Sequence, residues 1–208
     1  MKVLLVNGSP RQKMCTYTAL EEIADVVNGH GIETEIFQLG SKAISGCIGC
    51  GVCHKNRTKK CFMDDKVNEF LDKATDFDGF IFGSPVHFAG LSGAMTSFLD
   101  RVFYAGASGL RGKPGVGVVS TRRAGATSAI DQMNKYFTFA QMPIVSSQYW
   151  AMVYGNTPDE VRQDLEGMQT MRVLGNNMAW LLKCLEAGRK AGIEFPEKEK
   201  RVWTNFIR

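Results

Sequence analysis

Residues 1–18 read MKVLLVNGSPRQKMCTYT, and this stretch indicates the architecture of the domain. Lys2–Asn7 is a continuous apolar run of the kind that forms a buried strand. A Gly-Ser-Pro turn follows at residues 8–10, and apolar residues then recur at helical spacing over residues 16–28. A buried strand that leads through a glycine turn into an amphipathic helix indicates a domain in which strands and helices alternate.

The rest of the chain repeats this alternation. Further strands are predicted at residues 32–39, 79–82, 116–120 and 144–153, and further helices at 67–74, 91–104, 128–140 and 156–191. This order predicts a mostly parallel sheet covered by helices on both faces, and right-handed crossovers restrict its topology. We therefore predict an α/β fold with a flavodoxin-like, doubly wound, five-stranded parallel sheet in the order 2-1-3-4-5.

The predicted domain organisation has two parts. Residues 1–192 form the flavodoxin-like domain, which carries a cysteine-rich loop inserted at residues 45–64 and ends in a C-terminal helical extension. Residues 193–208 form a polar tail. Its three large apolar side chains are expected to dock on the body or on another subunit, and they are Trp203, Phe206 and Ile207.

The composition is that of an ordinary globular protein. Of 208 residues, 44% are hydrophobic and 22% are charged, and the net charge is +4. This excess can attract an anionic cofactor, but it is too small to indicate a nucleic-acid partner. No apolar run approaches the roughly 18 residues needed to span a bilayer, and the N-terminus has no secretory signal pattern. A cytoplasmic location without a membrane span is therefore expected.

Three loops are predicted to lie beyond the carboxyl ends of the strands, where such sheets bind ligands. Residues 8–18 combine hydroxyls with Arg11 and Lys13 before a helix N-terminus, which suits a phosphate. Residues 83–93 are small, apolar and aromatic, and they suit a flat ring. Residues 120–127 offer hydroxyls and two arginines, whose charge suits an anionic ligand. Each loop alone is compatible with an ordinary turn, so their shared position is the stronger argument.

Parts of these loops carry a family likeness. Residues 8–11 and 16–18, together with GSPVHF at 83–88 and FLDR at 98–101, resemble the NAD(P)H-dependent FMN reductase family, and the likeness covers roughly residues 1–185. More narrowly, the chain resembles the iron–sulfur flavoproteins of that group. The resemblance implies an FMN phosphate held by Ser9, Arg11, Thr16 and Thr18. It places the isoalloxazine ring along Pro85, Val86, His87 and Phe88, with Ser120, Thr121, Arg122 and Gly125 approaching from the other side.

Two positions depart from the family pattern. Residues 14–18, MCTYT, stand where a run rich in glycine and asparagine is usual. His87 stands where an aromatic residue, often tyrosine, is typical. His87 is therefore the candidate catalytic residue for proton transfer to the flavin, and stacking against the ring is its alternative role.

Four of the six cysteines are crowded into one short stretch. Cys47, Cys50, Cys53 and Cys61 have the spacing C-x2-C-x2-C-x7-C. Soft thiolates suit iron–sulfur clusters or zinc, and three closely spaced thiols favour iron–sulfur over the separated C-x2-C pairs of structural zinc sites. Zinc, free thiols and a disulfide are the alternatives. The resemblance to iron–sulfur flavoproteins implies a [4Fe–4S] cluster held by these four residues.

The family likeness implies an FMN-dependent oxidoreductase. Such an enzyme takes electrons from NAD(P)H and passes them to a quinone, a flavin or another acceptor, through the cluster where one is bound. One alternative is a non-enzymatic, flavodoxin-like electron carrier, but such carriers tend to be shorter and acidic. Another is a regulatory or metal-sensing module that uses only the cysteines. The family likeness also implies a homodimer or homotetramer, and the methionine-rich C-terminal helix suits an interface or the core.

Overall fold

Five parallel strands form the centre of the computed structural model, which describes residues 1–55, 59–200, 202, 204 and 206. With one short antiparallel strand added, the strands along the chain are β1 (Lys2–Asn7), β2 (Glu33–Gln38), β3 (Gly79–His87), β4 (Gly90–Leu91), β5 (Gly115–Thr121) and β6 (Met152–Tyr154). The parallel strands lie in the order β2-β1-β3-β5-β6, while the two-residue β4 pairs with the end of β3 in an antiparallel hairpin. Counted along the chain, the five parallel strands have the predicted order 2-1-3-4-5. The predicted flavodoxin-like fold is confirmed.

Helices cover both faces of the sheet. One face carries α1 (Cys15–Gly29), α6 (Pro158–Gln163) and α7 (Leu165–Lys190), and the other carries α3 (Lys66–Lys73), α4 (Gly93–Leu110) and α5 (Ala126–Phe139). The short α2 (Val52–Lys55) lies in the cysteine-rich insertion, and a 3-10 turn (Ala74–Asp76) follows α3. Successive side chains of β1 point to opposite faces, so Val3 and Leu5 join one core and Leu4 and Val6 the other. This is why β1 reads as an unbroken apolar run.

Phenylalanine side chains fill the core between the sheet and α3, α4 and α5. Phe70 of α3 contacts Phe98 of α4 edge to face at 5.2 Å between ring centroids, and Phe82 of β3 lies 5.5 Å from Phe137 of α5. All four rings are fully buried. Aromatic pairs of this kind add about 0.5–1.5 kcal/mol to the free energy of area burial. They hold α3 and α4 against the sheet. The cysteine-rich insertion is anchored between these two helices.

The prediction of a strand over residues 144–153 is wrong in length. Ile144 makes an isolated bridge to Gly115, and pairing with β5 resumes only at Met152, opposite Val119. Between these two points the segment at the edge of the sheet contains more residues than β5 does. The extra residues therefore bulge out of the sheet. Polar groups on α7 hold the bulge, since the Ser147 hydroxyl donates to the carbonyl of Thr170 at 2.7 Å. Local apolar patterning does not reveal such long-range bonds.

The prediction of one continuous C-terminal helix is also wrong, because the chain breaks at Asp164. Thr157 caps α6, Pro158 takes its first turn, and Asp164 separates α6 from α7. The Asp164 carboxylate accepts from the backbone N–H of Gly167 at 3.0 Å and of Tyr154 at 2.8 Å. An aspartate that caps a new helix gives the backbone an alternative to continuing the old one.

The start of the predicted tail lies against the body. Arg111 stacks over the Phe195 ring at 4.6 Å, and its guanidinium donates to the carbonyl of Pro196 at 2.8 Å. Of the side chains expected to dock, Phe206 is exposed, while Trp203 and Ile207 lie outside the described residues. Across the part of the chain that the structure describes, every helix is too short or too polar to span a bilayer.

Candidate functional site

The three loops singled out in the sequence meet at the carboxyl edge of the sheet. β1, β3 and β5 are neighbours, with Asn7 opposite Gly83 and Pro85 opposite Ser120. The first and third loops are joined by the hydroxyls of Thr16 and Ser120, whose oxygens lie 2.8 Å apart. This pair is buried. The parallel register therefore assembles one site from three distant parts of the chain, as doubly wound sheets do at this edge.

The first loop is held by Asn7, a buried residue that the sequence reasoning missed. Its side-chain amide donates to Gln38 of β2 at 2.6 Å and to the carbonyl of Gln12 at 3.1 Å. Its oxygen accepts from the backbone N–H of Ser9 at 3.1 Å. The signal for this role in the sequence was a polar residue at the end of an apolar strand, because a buried side-chain amide needs hydrogen-bond partners. Asn7 thus sets the path of the chain into α1.

The N-terminus of α1 has the properties of an anion site. Met14 precedes the helix and supplies no side-chain hydrogen bond to its first turn. Helix N–H groups at this end carry partial positive charge and favour a phosphate, and Arg11 and Lys13 lie exposed beside them. The Thr18 hydroxyl is buried and donates to the carbonyl of Met14 at 3.3 Å, so it is already engaged inside the helix.

The second loop is a tight hairpin. β3 extends past Phe82, where the predicted strand ended, to His87, and the chain reverses through Phe88 and Ala89 into β4. Both turn residues have positive φ, 49° and 58°, which is the geometry of a two-residue hairpin turn normally built from glycine or asparagine. Pro85 and Val86 are half-buried, whereas His87 and Phe88 are exposed. Strain of this kind concentrates at functional sites.

The third loop braces this hairpin. Ser128, at the start of α5, donates its hydroxyl proton to the carbonyl of Ala89 at 2.6 Å. Gly125 adopts φ +89°, and a Cβ at this position would lie 2.5 Å from the Cα of Ala89. Ser120 and Thr121 are buried, and Arg122 is exposed. The hairpin and the third loop therefore touch backbone to backbone, which only a glycine permits.

The cysteine segment, defined as residues 45–55 and 59–65, forms a second site. Cys47, Cys50, Cys53 and Cys61 line one surface pocket against α4, and all are free thiols. Within the described residues, no three Cys, His, Asp or Glu side chains already surround one metal position, so the thiols must draw together to share a metal. Burial raises the pKa of Cys53, and the neighbouring Cys61 and Cys47 raise it further against backbone hydrogen bonds.

Arg101 of α4 is the buried cation of this pocket, and the sequence reasoning gave it no role there. Its Nε donates to Sγ of Cys61 at 3.3 Å, and its Nη1 pairs with the Asp65 carboxylate at 2.6 Å. Burial opposes the charge, but the hydrogen bonds to Asp65 and Cys61 prevail and raise the pKa of Arg101. The guanidinium therefore stays charged beside the thiols.

A family model described as NADPH-dependent FMN reductase matches residues 1–157. The chain belongs to this family.

Relatives agree with this assignment, and a solved structure shares the fold. An iron–sulfur flavoprotein of Methanocaldococcus jannaschii is 33% identical over 195 residues, covering 89% of this chain and 100% of the relative. Another, from Archaeoglobus fulgidus, is 27% identical over 192 residues, covering 87% and 97%. RosB, solved with a bound 8-demethyl-8-formylriboflavin-5'-phosphate intermediate, has a TM-score of 0.69 over 100% of this chain and 92% of its own. At 15% identity, that likeness shows a shared fold alone.

The buried hydroxyl pair of this FMN reductase family member provides a direct test of the site. A Thr16→Val substitution keeps the side-chain shape but leaves the Ser120 hydroxyl without its partner at 2.8 Å. We expect the free energy of unfolding to fall by about 1–2 kcal/mol, and the affinity for added FMN to fall as well. Urea unfolding and flavin fluorescence quenching measure the two effects.

The matched control is Thr138→Val on α5. The Thr138 hydroxyl is exposed and bonds only to the carbonyl of Asn134 in its own helix, so both quantities should stay near the unsubstituted values. An FMN affinity that is identical in both variants would argue against a role of Thr16 at the cofactor site.

Proposed function

We propose that this protein is an FMN-dependent reductase that takes electrons from NAD(P)H and delivers them, through a [4Fe–4S] cluster on the cysteine segment, to a further acceptor. Family membership establishes the FMN oxidoreductase part of this statement. The nicotinamide donor and the cluster are the parts that we propose. The contact of the three loops at one edge of the sheet carries the flavin site, and the observation that carries the proposed cluster is the single pocket lined by Cys47, Cys50, Cys53 and Cys61.

The residues at the carboxyl edge have separable tasks in this proposal. The N-terminus of α1 and Arg11 hold the phosphate, with the Ser9 backbone positioned by Asn7. The hairpin presents Pro85, Val86, His87 and Phe88 to the isoalloxazine ring. Ser120, Thr121, Arg122 and Gly125 approach from the third loop, and Arg122 supplies positive charge. Held by these residues, FMN would supply the redox chemistry that carries electrons from the nicotinamide to an acceptor.

His87 is proposed as the residue that transfers protons at the carboxyl edge of the sheet. It is the titratable side chain of the hairpin, it is exposed beside the strained turn, and its strand end is fixed by pairing with Gly90. A histidine can hold or release a proton near neutral pH, which a tyrosine at the same place does not do. The predicted homodimer or homotetramer stays a prediction.

The cysteine segment fits a cluster by the chemistry of its donors. Four thiols share one pocket, and thiolates are the ligands that hold iron–sulfur clusters. Gly49 and Gly51 take positive φ between the cysteines, which allows the tight turns that bring closely spaced sulfurs to one side. The names of the archaeal relatives point to the same chemistry.

The deciding experiment is an absorption spectrum of anaerobically purified protein before and after addition of NADPH, with iron and acid-labile sulfide measured on the same sample. We expect two flavin bands above a broad shoulder, bleaching of these bands by NADPH, and about four iron atoms per chain. Flavin bands without iron would overturn the cluster and leave the reductase.

Other outcomes separate the alternative functions. Flavin that resists NADPH but accepts electrons from a reduced partner protein would indicate a carrier. A colourless protein that takes up no added FMN would overturn the flavin function for this chain.

A further inference from the structure

Arg101 is the most deeply buried charged side chain among the described residues, and the chemistry proposed at the carboxyl edge does not use it. Its side chain is 1% exposed. Burying a guanidinium costs several kcal/mol unless its hydrogen-bonding groups and charge are matched. The partners of Arg101 therefore indicate its role.

All partners of Arg101 belong to the cysteine segment. Nη1 donates to the Asp65 carboxylate at 2.6 Å and to the carbonyl of Ser45 at 3.4 Å. Nη2 donates to the other Asp65 oxygen at 3.0 Å and to the carbonyl of Met63 at 2.9 Å. Nε donates to Sγ of Cys61 at 3.3 Å. A guanidinium has five N–H donors, and here each one has an acceptor.

These contacts close the segment into a loop. Ser45 precedes Cys47, the first cysteine of the segment, whereas Met63 and Asp65 follow Cys61, its last. The planar guanidinium of Arg101 therefore holds the two ends of the segment together. Asp65 is anchored in turn, because its carboxylate also accepts from the backbone N–H of Val67 and caps α3. A lysine could not replace this fork, since its single ammonium cannot reach acceptors spread over a plane.

We propose that Arg101 is the positioning residue of the four-thiol site, holding the ends of the cysteine segment together and the Cys61 sulfur in the pocket that Cys47, Cys50 and Cys53 line. The inference rests on the proposed use of these thiols as ligands. Hydrogen bonds to cluster sulfurs raise the reduction potential, so the Nε–H donor is expected to tune a bound cluster as well as to order its ligands.

The test is a double-mutant cycle on metal-free protein, with Cd²⁺ as the probe and thiolate-to-cadmium absorption as the readout. We expect Arg101→Lys to weaken Cd²⁺ binding at least tenfold, because the charge stays but the fork is lost. In a Cys61→Ser background the same change should cost less than in the unsubstituted protein, since the sulfur that Nε positions is gone and only the contacts to Ser45, Met63 and Asp65 are lost. Arg172→Lys, which alters an exposed arginine paired with Glu22 on α1, is the matched control and should change nothing.

A general structural role would give a different result. Equal losses of Cd²⁺ affinity with and without Cys61, or no loss at all, would overturn the proposal. Should R101K fail to fold, Asp65→Asn replaces it, because asparagine can still cap α3 while its neutral amide loosens the guanidinium. We then expect a loss of Cd²⁺ affinity that is smaller than the loss expected for R101K and that again depends on Cys61.

Protein that carries the cluster offers a second readout. In R101K the midpoint potential of the cluster should become more negative, as expected on loss of an N–H donor to sulfur. A protein that contains no iron but whose Cd²⁺ affinity depends on Arg101 through Cys61 would reject the proposed cluster and keep the positioning role. The two proposals can therefore fail separately.

Discussion

A Gly125→Ala substitution is expected to lower the free energy of unfolding by about 2–5 kcal/mol and to weaken FMN binding at least tenfold. Two effects add at this position. Alanine at φ +89° loses about 1–2 kcal/mol relative to glycine, and its Cβ would lie 2.5 Å from the Cα of Ala89. The clash is with backbone, so the hairpin itself must move, at an overpacking cost of about 1–3 kcal/mol. Chemical denaturation and FMN titration measure both effects.

The control is a glycine whose surroundings are open. Gly109 lies in α4 at an ordinary helical φ, and a Cβ there meets no heavy atom within 4 Å. Gly109→Ala should raise the free energy of unfolding by about 0.5–1 kcal/mol and leave FMN binding unchanged. If the Gly125 variant bound FMN as tightly as this control, the contact between the hairpin and the third loop would have no part in holding the cofactor.

Single replacement of any of the four clustered cysteines by serine is expected to reduce iron from about four atoms per chain to below one, while bound FMN stays unchanged. Serine keeps the size of the side chain but is a poor ligand for iron. The pocket is lined by the cysteine segment and by α4 at Arg101 and Tyr104, and none of the residues proposed to hold the flavin lines it, so loss of a thiol should not disturb the flavin. Iron and sulfide analysis with flavin release gives both numbers.

Cys184→Ser is the matched control, because this thiol is exposed on α7 and does not line the cysteine pocket. It should leave iron and flavin at their normal contents. Iron retained in full after replacement of Cys50 and Cys61 together would show that the metal is bound elsewhere.

Sequence reasoning identified the family and the three loops, and the hydroxyls that it assigned to the phosphate stay a prediction, but it did not show their partners within the protein. The Thr16 side chain is engaged with Ser120, and Thr18 with the carbonyl of Met14. Residue type shows that a side chain can donate a hydrogen bond, whereas its partner depends on the backbone around it. Asn7 was missed for the same reason, since its partners on β2 and in the first loop meet it only after folding.

The flavodoxin-like topology, the common edge of the three loops and the thiol spacing could all be predicted from the amino-acid sequence. They follow from local apolar periodicity, from the handedness of crossovers and from the order of residues along the chain. The bulge at the edge of the sheet, the contact of Gly125 with the hairpin and the closing of the cysteine segment by Arg101 could be seen only in the folded structure. Those features depend on contacts between residues far apart in the chain, such as the 40 positions from Cys61 to Arg101 and the 104 from Thr16 to Ser120. Such contacts exist only once the sheet and its helices have packed.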